Sequence, residues 1–192
     1  MKKLIAIGGL PASGKTTIMK EFMKGKELEK QTPKELVITM YDKHYKLHIV
    51  GDYSDPNEQF PGLDRLSMAV QPKAIEFLNE TTANVLFEGD RLFTASFLEV
   101  ASELVDKGLL DLKILMVNAD PAIVEQRHKD RNDSQTEKFL KGRATKYDNI
   151  RSSLVLMPYI QEVSNNNESD LKAIVNWLRL ELHDSDEVVE LI

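Results

Sequence analysis

Apolar residues arrive in two alternating rhythms along this chain. Solid runs such as Leu4-Ile5-Ala6-Ile7 and Val85-Leu86-Phe87 read as buried strands, whereas Ile18/Phe22 and Met19/Met23 recur at the spacing of a helix face. Followed to its end, the pattern predicts strands over residues 3–8, 36–40, 84–87, 113–118 and 159–163. It predicts helices over 15–26, 66–79, 95–107, 121–131, 137–156 and 169–183. Asp120 before Pro121 suits an N-cap followed by a first-turn proline, and Ser169-Asp170 opens the last helix similarly. That helix carries Leu171, Ile174, Val175, Leu178 and Leu182 on one face. Strands alternating with helices imply an α/β fold, a five-stranded parallel sheet with helices on both faces. Ligands then sit beyond the C-terminal ends of the strands.

The first strand runs into Gly9-Leu10-Pro11-Ala12-Ser13-Gly14-Lys15-Thr16, which fits G-x-x-x-x-G-K-[ST] at every fixed position. Strand, glycine loop and helix together form the context in which this motif binds phosphate. The glycines let the backbone curl until its N–H groups converge on an anion, and the helix start adds positive dipole. Lys15 reaches the β- and γ-phosphates, and Thr16 offers a hydroxyl to Mg²⁺. Gly9, Ala12, Ser13, Gly14, Lys15, Thr16 and Thr17 therefore form the expected site for a nucleoside triphosphate, with ATP and Mg²⁺ as cofactors.

Composition narrows the setting. The chain has 192 residues, enough for one domain, with 42% hydrophobic and 29% charged residues. With no cysteine there is no disulfide framework or thiol nucleophile. No apolar window is long enough to span a membrane and no leader is evident, so a cytoplasmic setting is expected. The net charge of −6 argues against wholesale electrostatic capture of nucleic acid. Charge is uneven, however. Arg127, Lys129, Arg131, Lys138, Lys141, Arg143 and Lys146 crowd one stretch, and residues 184–192 form an acidic tail.

Each strand end offers chemistry. After the second, the irregular stretch from Tyr41 to Asp64 reads as the acceptor-binding region, with Asp42 placed to take or align a hydroxyl proton and Tyr45 beside it. After the third, Glu88 is the expected metal ligand with Thr16, and Gly89 permits close approach. Asp90 and Arg91 then face the acceptor. After the fourth, Arg127 and Arg131 share a helix face suited to clamping a phosphoryl group. Asn132-Asp133-Ser134 reads as a hinge, and Arg143 as a lid or acceptor residue. The asparagines Asn165, Asn166 and Asn167 either border a base or form a plain connector. His44 and His48 make no zinc site with the distant His128 and His183. A guanine-reading tetrapeptide is absent after the fourth strand, where Val117-Asn118-Ala119-Asp120 stands, which argues against a GTPase switch.

Over about residues 3 to 180 the chain resembles P-loop nucleoside and nucleoside-monophosphate kinases, with local echoes of the uridine-kinase-like enzymes. The echoes are the glycine loop, Asp42-Lys43-His44-Tyr45-Lys46, Phe87-Glu88-Gly89 and Arg127-His128-Lys129-Asp130-Arg131. The resemblance implies a kinase domain over 1–183, with an acceptor-binding region at 41–80 and a lid at 121–147. It implies Asp42 as catalytic carboxylate, Glu88 as a Mg²⁺ or acceptor contact, and Arg127 and Arg131 as lid arginines. The expected activity is γ-phosphate transfer from ATP to a hydroxyl or phosphate of a nucleoside- or nucleotide-type acceptor, by a monomer or homodimer. The chain also resembles phage kinases acting on 5-hydroxymethyluracil in DNA, which makes modified DNA an alternative acceptor. A DNA-acting enzyme would gather Lys43, Lys46, Arg91, Arg143 and Lys146 around one groove. A regulatory nucleotide-binding NTPase is the expectation from a different class.

Overall fold

The computed structural model describes residues 1–55, 61–130 and 137–183. Arg131, the Asn132-Asp133-Ser134 break and the acidic tail lie outside the described residues.

The strands are β1 (Lys2–Gly8), β2 (Leu28–Lys34), β3 (Val37–Asp42), β4 (Leu47–Val50), β5 (Asn84–Glu88), β6 (Leu110–Asn118) and β7 (Ile160–Ser164). They form one sheet in the order β2-β3-β4-β5-β1-β6-β7. β4, β5, β1, β6 and β7 are parallel, whereas β2 and β3 extend one edge as antiparallel strands. The helices are α1 (Lys15–Met23), α2 (Val70–Glu80), α3 (Ala95–Asp106), α4 (Pro121–Asp130), α5 (Glu137–Arg151) and α6 (Glu168–Leu182).

Alternation within β1 builds both cores. Leu4 and Ala6 face α2, α3 and α5 through Phe77, Phe97 and Ile150. Ile5 and Ile7 face α1 and α6 through Ile18, Phe22, Ile174 and Leu178. The expected α/β fold with helices on both faces is the fold observed, but the sheet has seven strands rather than five, because the β2–β3 pair adds an antiparallel edge to the five parallel strands.

The second strand departs from expectation, and the departure moves the site. The run at 36–40 does form a strand, β3, but it lies antiparallel to β4. Only four residues, Lys43 to Lys46, separate it from β4, far too few for the crossover that parallel neighbours require. The parallel strand is instead the short Leu47-His48-Ile49-Val50, buried throughout. β2 escapes a hydrophobic reading because Leu28-Glu29-Lys30-Gln31-Thr32-Pro33-Lys34 is polar and carries a proline, as an edge strand can. The last helix starts one residue early, with the Asn167 side chain accepting from the Asp170 N–H rather than Ser169 acting as cap.

Candidate active site

The five parallel strands deliver Gly8-Gly9, Asp52, Glu88, Asn118 and Asn165 toward one end of the sheet. At its centre the phosphate loop turns into α1 with Gly14 in the left-handed region at φ 94°. A Cβ on Gly9 would strike the Val117 carbonyl, so the loop's first position is closed to larger residues. The Lys15 ammonium donates to the Gly9 and Leu10 carbonyls at 2.7 and 3.1 Å, folded over the loop rim. Ser13 Oγ is buried inside the turn without a hydrogen-bond partner. Thr17, the third residue of α1, is exposed.

Glu88 ends β5 almost wholly buried, and its Oε1 accepts from Thr16 Oγ1 at 3.0 Å. Burial pushes its carboxyl pKa up, while the Lys15 charge and the Thr16 hydroxyl pull it back. The Tyr53 hydroxyl is buried beside this carboxylate without a hydrogen bond of ordinary length, and its pKa is raised first by burial and then by Glu88. Asp64, the other carboxylate whose charge Glu88 senses, is exposed, and Arg91 donates to its backbone carbonyl at 2.6 Å. Thr16 and Glu88 thus meet as the sequence predicts. The hard-oxygen pair and the orphaned Ser13 hydroxyl fit a magnesium–triphosphate site.

Asp42 does not belong here. It pairs with Leu47, and Leu47 with Asn84 at the start of β5, so it stands at the opposite end of the sheet. Glu88 lies four residue steps beyond Asn84 along β5, roughly 13 Å of strand. Asp42 instead accepts from the His44 and Tyr45 N–H groups at 2.9 and 3.4 Å and pairs with Lys26 at 2.8 Å. Tyr45 goes with it, stacking against Phe22 and His183 with the Lys26 ammonium 4.0 Å from its ring centre. Both residues brace a turn. Asp42→Ala is therefore expected to leave turnover unchanged and to destabilise the fold by about 2 kcal/mol, because the partly buried Lys26 ammonium and two turn N–H groups lose their charged acceptor. Urea unfolding beside steady-state kinetics checks this.

The carboxylate that ends the parallel strand is Asp52, which sequence reasoning missed. It is buried, and its Oδ1 accepts from Ser54 N and Oγ at 3.1 and 2.6 Å. Its Oδ2 meets Lys30 at 3.0 Å and Arg65 Nε at 3.5 Å. Burial raises its pKa, but Ser54 and Lys30 outweigh that and bring it to about 2. With four donors on two oxygens, Asp52 has no lone pair left for a substrate. It holds Ser54 and Gly62 together, the latter through reciprocal backbone bonds at 3.1 and 2.8 Å. Ile49-Val50 followed by Gly51-Asp52 was the available sequence signal.

Asp90 faces α5 rather than open space. Its carboxylate pairs with Arg143, accepts from Tyr147 Oη at 2.9 Å and lies 3.5 Å from Lys146 Nζ. Lys146 also donates to the Asp90 carbonyl at 2.6 Å. Burial pushes the Tyr147 phenol up to about 12, against a hydrogen bond from the Gly9 backbone. Burial, and then the neighbouring Arg143 charge, lower the Lys146 ammonium to about 8. Lys146 therefore loses its proton as pH rises through about 8, although the unfolded chain keeps it to about 10.4. Between those values the unfolded state binds more protons, so stability rises with pH. Activity is expected to move the other way if this charge serves the reaction. The pH profile of kcat should fall with an apparent pKa near 8, and Lys146→Gln should flatten that limb.

Arg127 contacts the phosphate loop itself, donating to Ala12 O at 3.0 Å and Asn165 O at 2.8 Å. Lys129, from the same basic cluster, pairs with Glu125 on an exposed helix face.

A phosphate loop on the central strand of a parallel sheet, with a buried acid bonded to its threonine, defines a P-loop nucleotide-binding protein. The chain belongs to the P-loop Nucleotide Kinase3 family, whose model matches residues 1–178. No curated protein matches it. Among solved structures it is similar to an unliganded sugar kinase from a Janibacter species at 11% identity and a TM-score of 0.52, covering 96% of this chain and 99% of that one. It is also similar to a deoxyadenosine kinase from M. mycoides with bound dATP, at 16% identity and a TM-score of 0.47, covering 92% and 98%. Likeness at this identity speaks to fold alone. No helix among the described residues is long and apolar enough to cross a membrane.

Proposed function

We propose that this chain is an ATP-dependent phosphotransferase that passes the γ-phosphate to a hydroxyl of a nucleoside- or nucleotide-type acceptor. The observation that carries the reading is the Thr16–Glu88 hydrogen bond at the mouth of the phosphate loop. It puts a hydroxyl and a buried carboxylate together where a P-loop kinase needs them. Mg²⁺, held by Thr16 with Glu88 behind it, would neutralise charge on the β- and γ-phosphates. Lys15 supplies the other positive charge, and Arg143 and Lys146 on α5 stand close to the same loop through Tyr147 and Gly9.

The acceptor enters between Asp64 and α5. Its hydroxyl oxygen bonds to the γ-phosphorus, the bond from that phosphorus to the β–γ bridging oxygen breaks, and a nucleoside diphosphate leaves. The hydroxyl proton goes to Asp64, whose exposed carboxylate stands within electrostatic range of Glu88 and Tyr53. The groove that a DNA substrate would need is divided. Arg91, Arg143 and Lys146 are at the active end, but Lys43 and Lys46 lie in the β3–β4 turn at the other.

A panel of nucleosides, nucleotides and DNA containing 5-hydroxymethyluracil, each offered with γ-labelled ATP, tests the reading. Label in a free nucleoside or nucleotide is the expected result. Label only in DNA would replace the acceptor assignment, and release as inorganic phosphate alone would make the chain a regulatory NTPase.

A further inference from the structure

Ala12 is a non-glycine residue in the left-handed region, at φ 61°, inside the phosphate loop. Such a conformation persists where the surroundings fix it. Two side chains from distant parts of the chain do so. Arg127 of α4 donates Nη1 to the Ala12 carbonyl at 3.0 Å and Nη2 to the Asn165 carbonyl at 2.8 Å. Asn165, just past β7, donates Nδ2 to the Ser13 carbonyl at 3.0 Å. Asn165 is itself 3% exposed and anchored by its N–H on Asn118 O at 2.8 Å. The result is a closed ring: loop carbonyl, guanidinium, Asn165, loop carbonyl. A Cβ on Gly14 would collide with the Asn165 amide, so loop and asparagine are fitted to each other.

A trans peptide points its carbonyl and its N–H in opposite directions. Holding the Ser13 carbonyl outward on Asn165 therefore turns the Gly14 N–H inward, toward the concavity where an anion binds. Holding the Ala12 carbonyl outward sets the Ser13 N–H against Leu10 O, at 3.2 Å, which closes the turn. Arg127 thus has both prongs engaged on backbone of the phosphate loop and its neighbour, an arrangement only a planar fork makes.

We propose that Arg127 and Asn165 are positioning residues that hold the phosphate loop in its anion-binding shape, so that they govern affinity for the triphosphate group itself. The proposal rests on the nucleotide site assigned above, and it removes Arg127 from the arginines that close over the transferring phosphate. Asn165→Asp keeps size but places a carboxylate oxygen against the Ser13 carbonyl. Arg127→Gln, on a helix with no buried side chain, breaks the ring with little risk to folding.

Calorimetry with inorganic tripolyphosphate and with Mg·ATP, on wild type and both variants, tests it. Both ligands are expected to weaken by the same factor, about tenfold or more, as when a hydrogen bond to a charged group is lost. Without ligand, the Gly14 amide should exchange with solvent faster in either variant than in wild type, since each variant breaks one of the two bonds that hold the loop carbonyls outward. Tripolyphosphate affinity unchanged with ATP weakened would mean that these residues touch the nucleoside, and would overturn the proposal. Both affinities unchanged would overturn it as well. A wild type that binds neither ligand would instead overturn the nucleotide site, and the proposal with it.

Discussion

Lys15→Ala is expected to remove phosphoryl transfer while leaving the fold intact. The ammonium rests on two loop carbonyls near the surface, contacts that add little to stability. In the proposed reaction its charge, by contrast, serves phosphates whose negative charge redistributes in the transition state. Loss of such a preorganised group costs at least about 10²–10³-fold in turnover. The melting temperature without nucleotide should stay within about 2 °C of wild type, a shift below that of a 1 kcal/mol change. Thermal melts and single-turnover transfer on the same preparation check both halves. Wild-type turnover in this variant would remove the phosphate loop from the chemistry.

Asp64→Asn should lower turnover by about 10²-fold or more with ATP affinity unchanged, because the amide cannot accept the hydroxyl proton. Asp52→Asn makes the contrast. Asp52 binds two cations and Ser54, so its loss should loosen the 52–62 pairing and raise the acceptor KM before it touches kcat. Removing the Asp52 charge also removes stability that is present above the ordinary carboxylate pKa of about 4 and lost in wild type as pH falls through about 2. Kinetics on the two variants with a common acceptor separates a proton acceptor from an organiser. Equal kcat losses would return Asp52 to the reaction.

How far the sequence carried depended on how locally each feature is encoded. The phosphate loop is contiguous, so Gly9, Gly14, Lys15 and Thr16 could be read without knowing what packs against them. Glu88 followed from a solid apolar strand, Val85-Leu86-Phe87, whose end could not be mistaken. The second strand failed for a physical reason. A hairpin of polar edge strand and apolar β3 precedes the short β4, and the hydrophobic run at β3 is the more conspicuous of the two. Choosing it inverted the direction of the strand and carried Asp42 and Tyr45 to the wrong end of the sheet. The same choice hid Asp52. The roles of Asn165, Asp90 and Arg127 are tertiary, made by residues up to 152 positions apart, and no local pattern encodes them.

The central claim is that Thr16 and Glu88 complete a magnesium–triphosphate site on the phosphate loop. It is tested most directly by titrating Mg·ATP and metal-free ATP into wild type and Glu88→Gln. Wild type should bind one nucleotide per chain, more tightly with Mg²⁺ than without, and Glu88→Gln should erase most of that difference while keeping metal-free binding. A magnesium effect of the same size in both proteins would contradict the account.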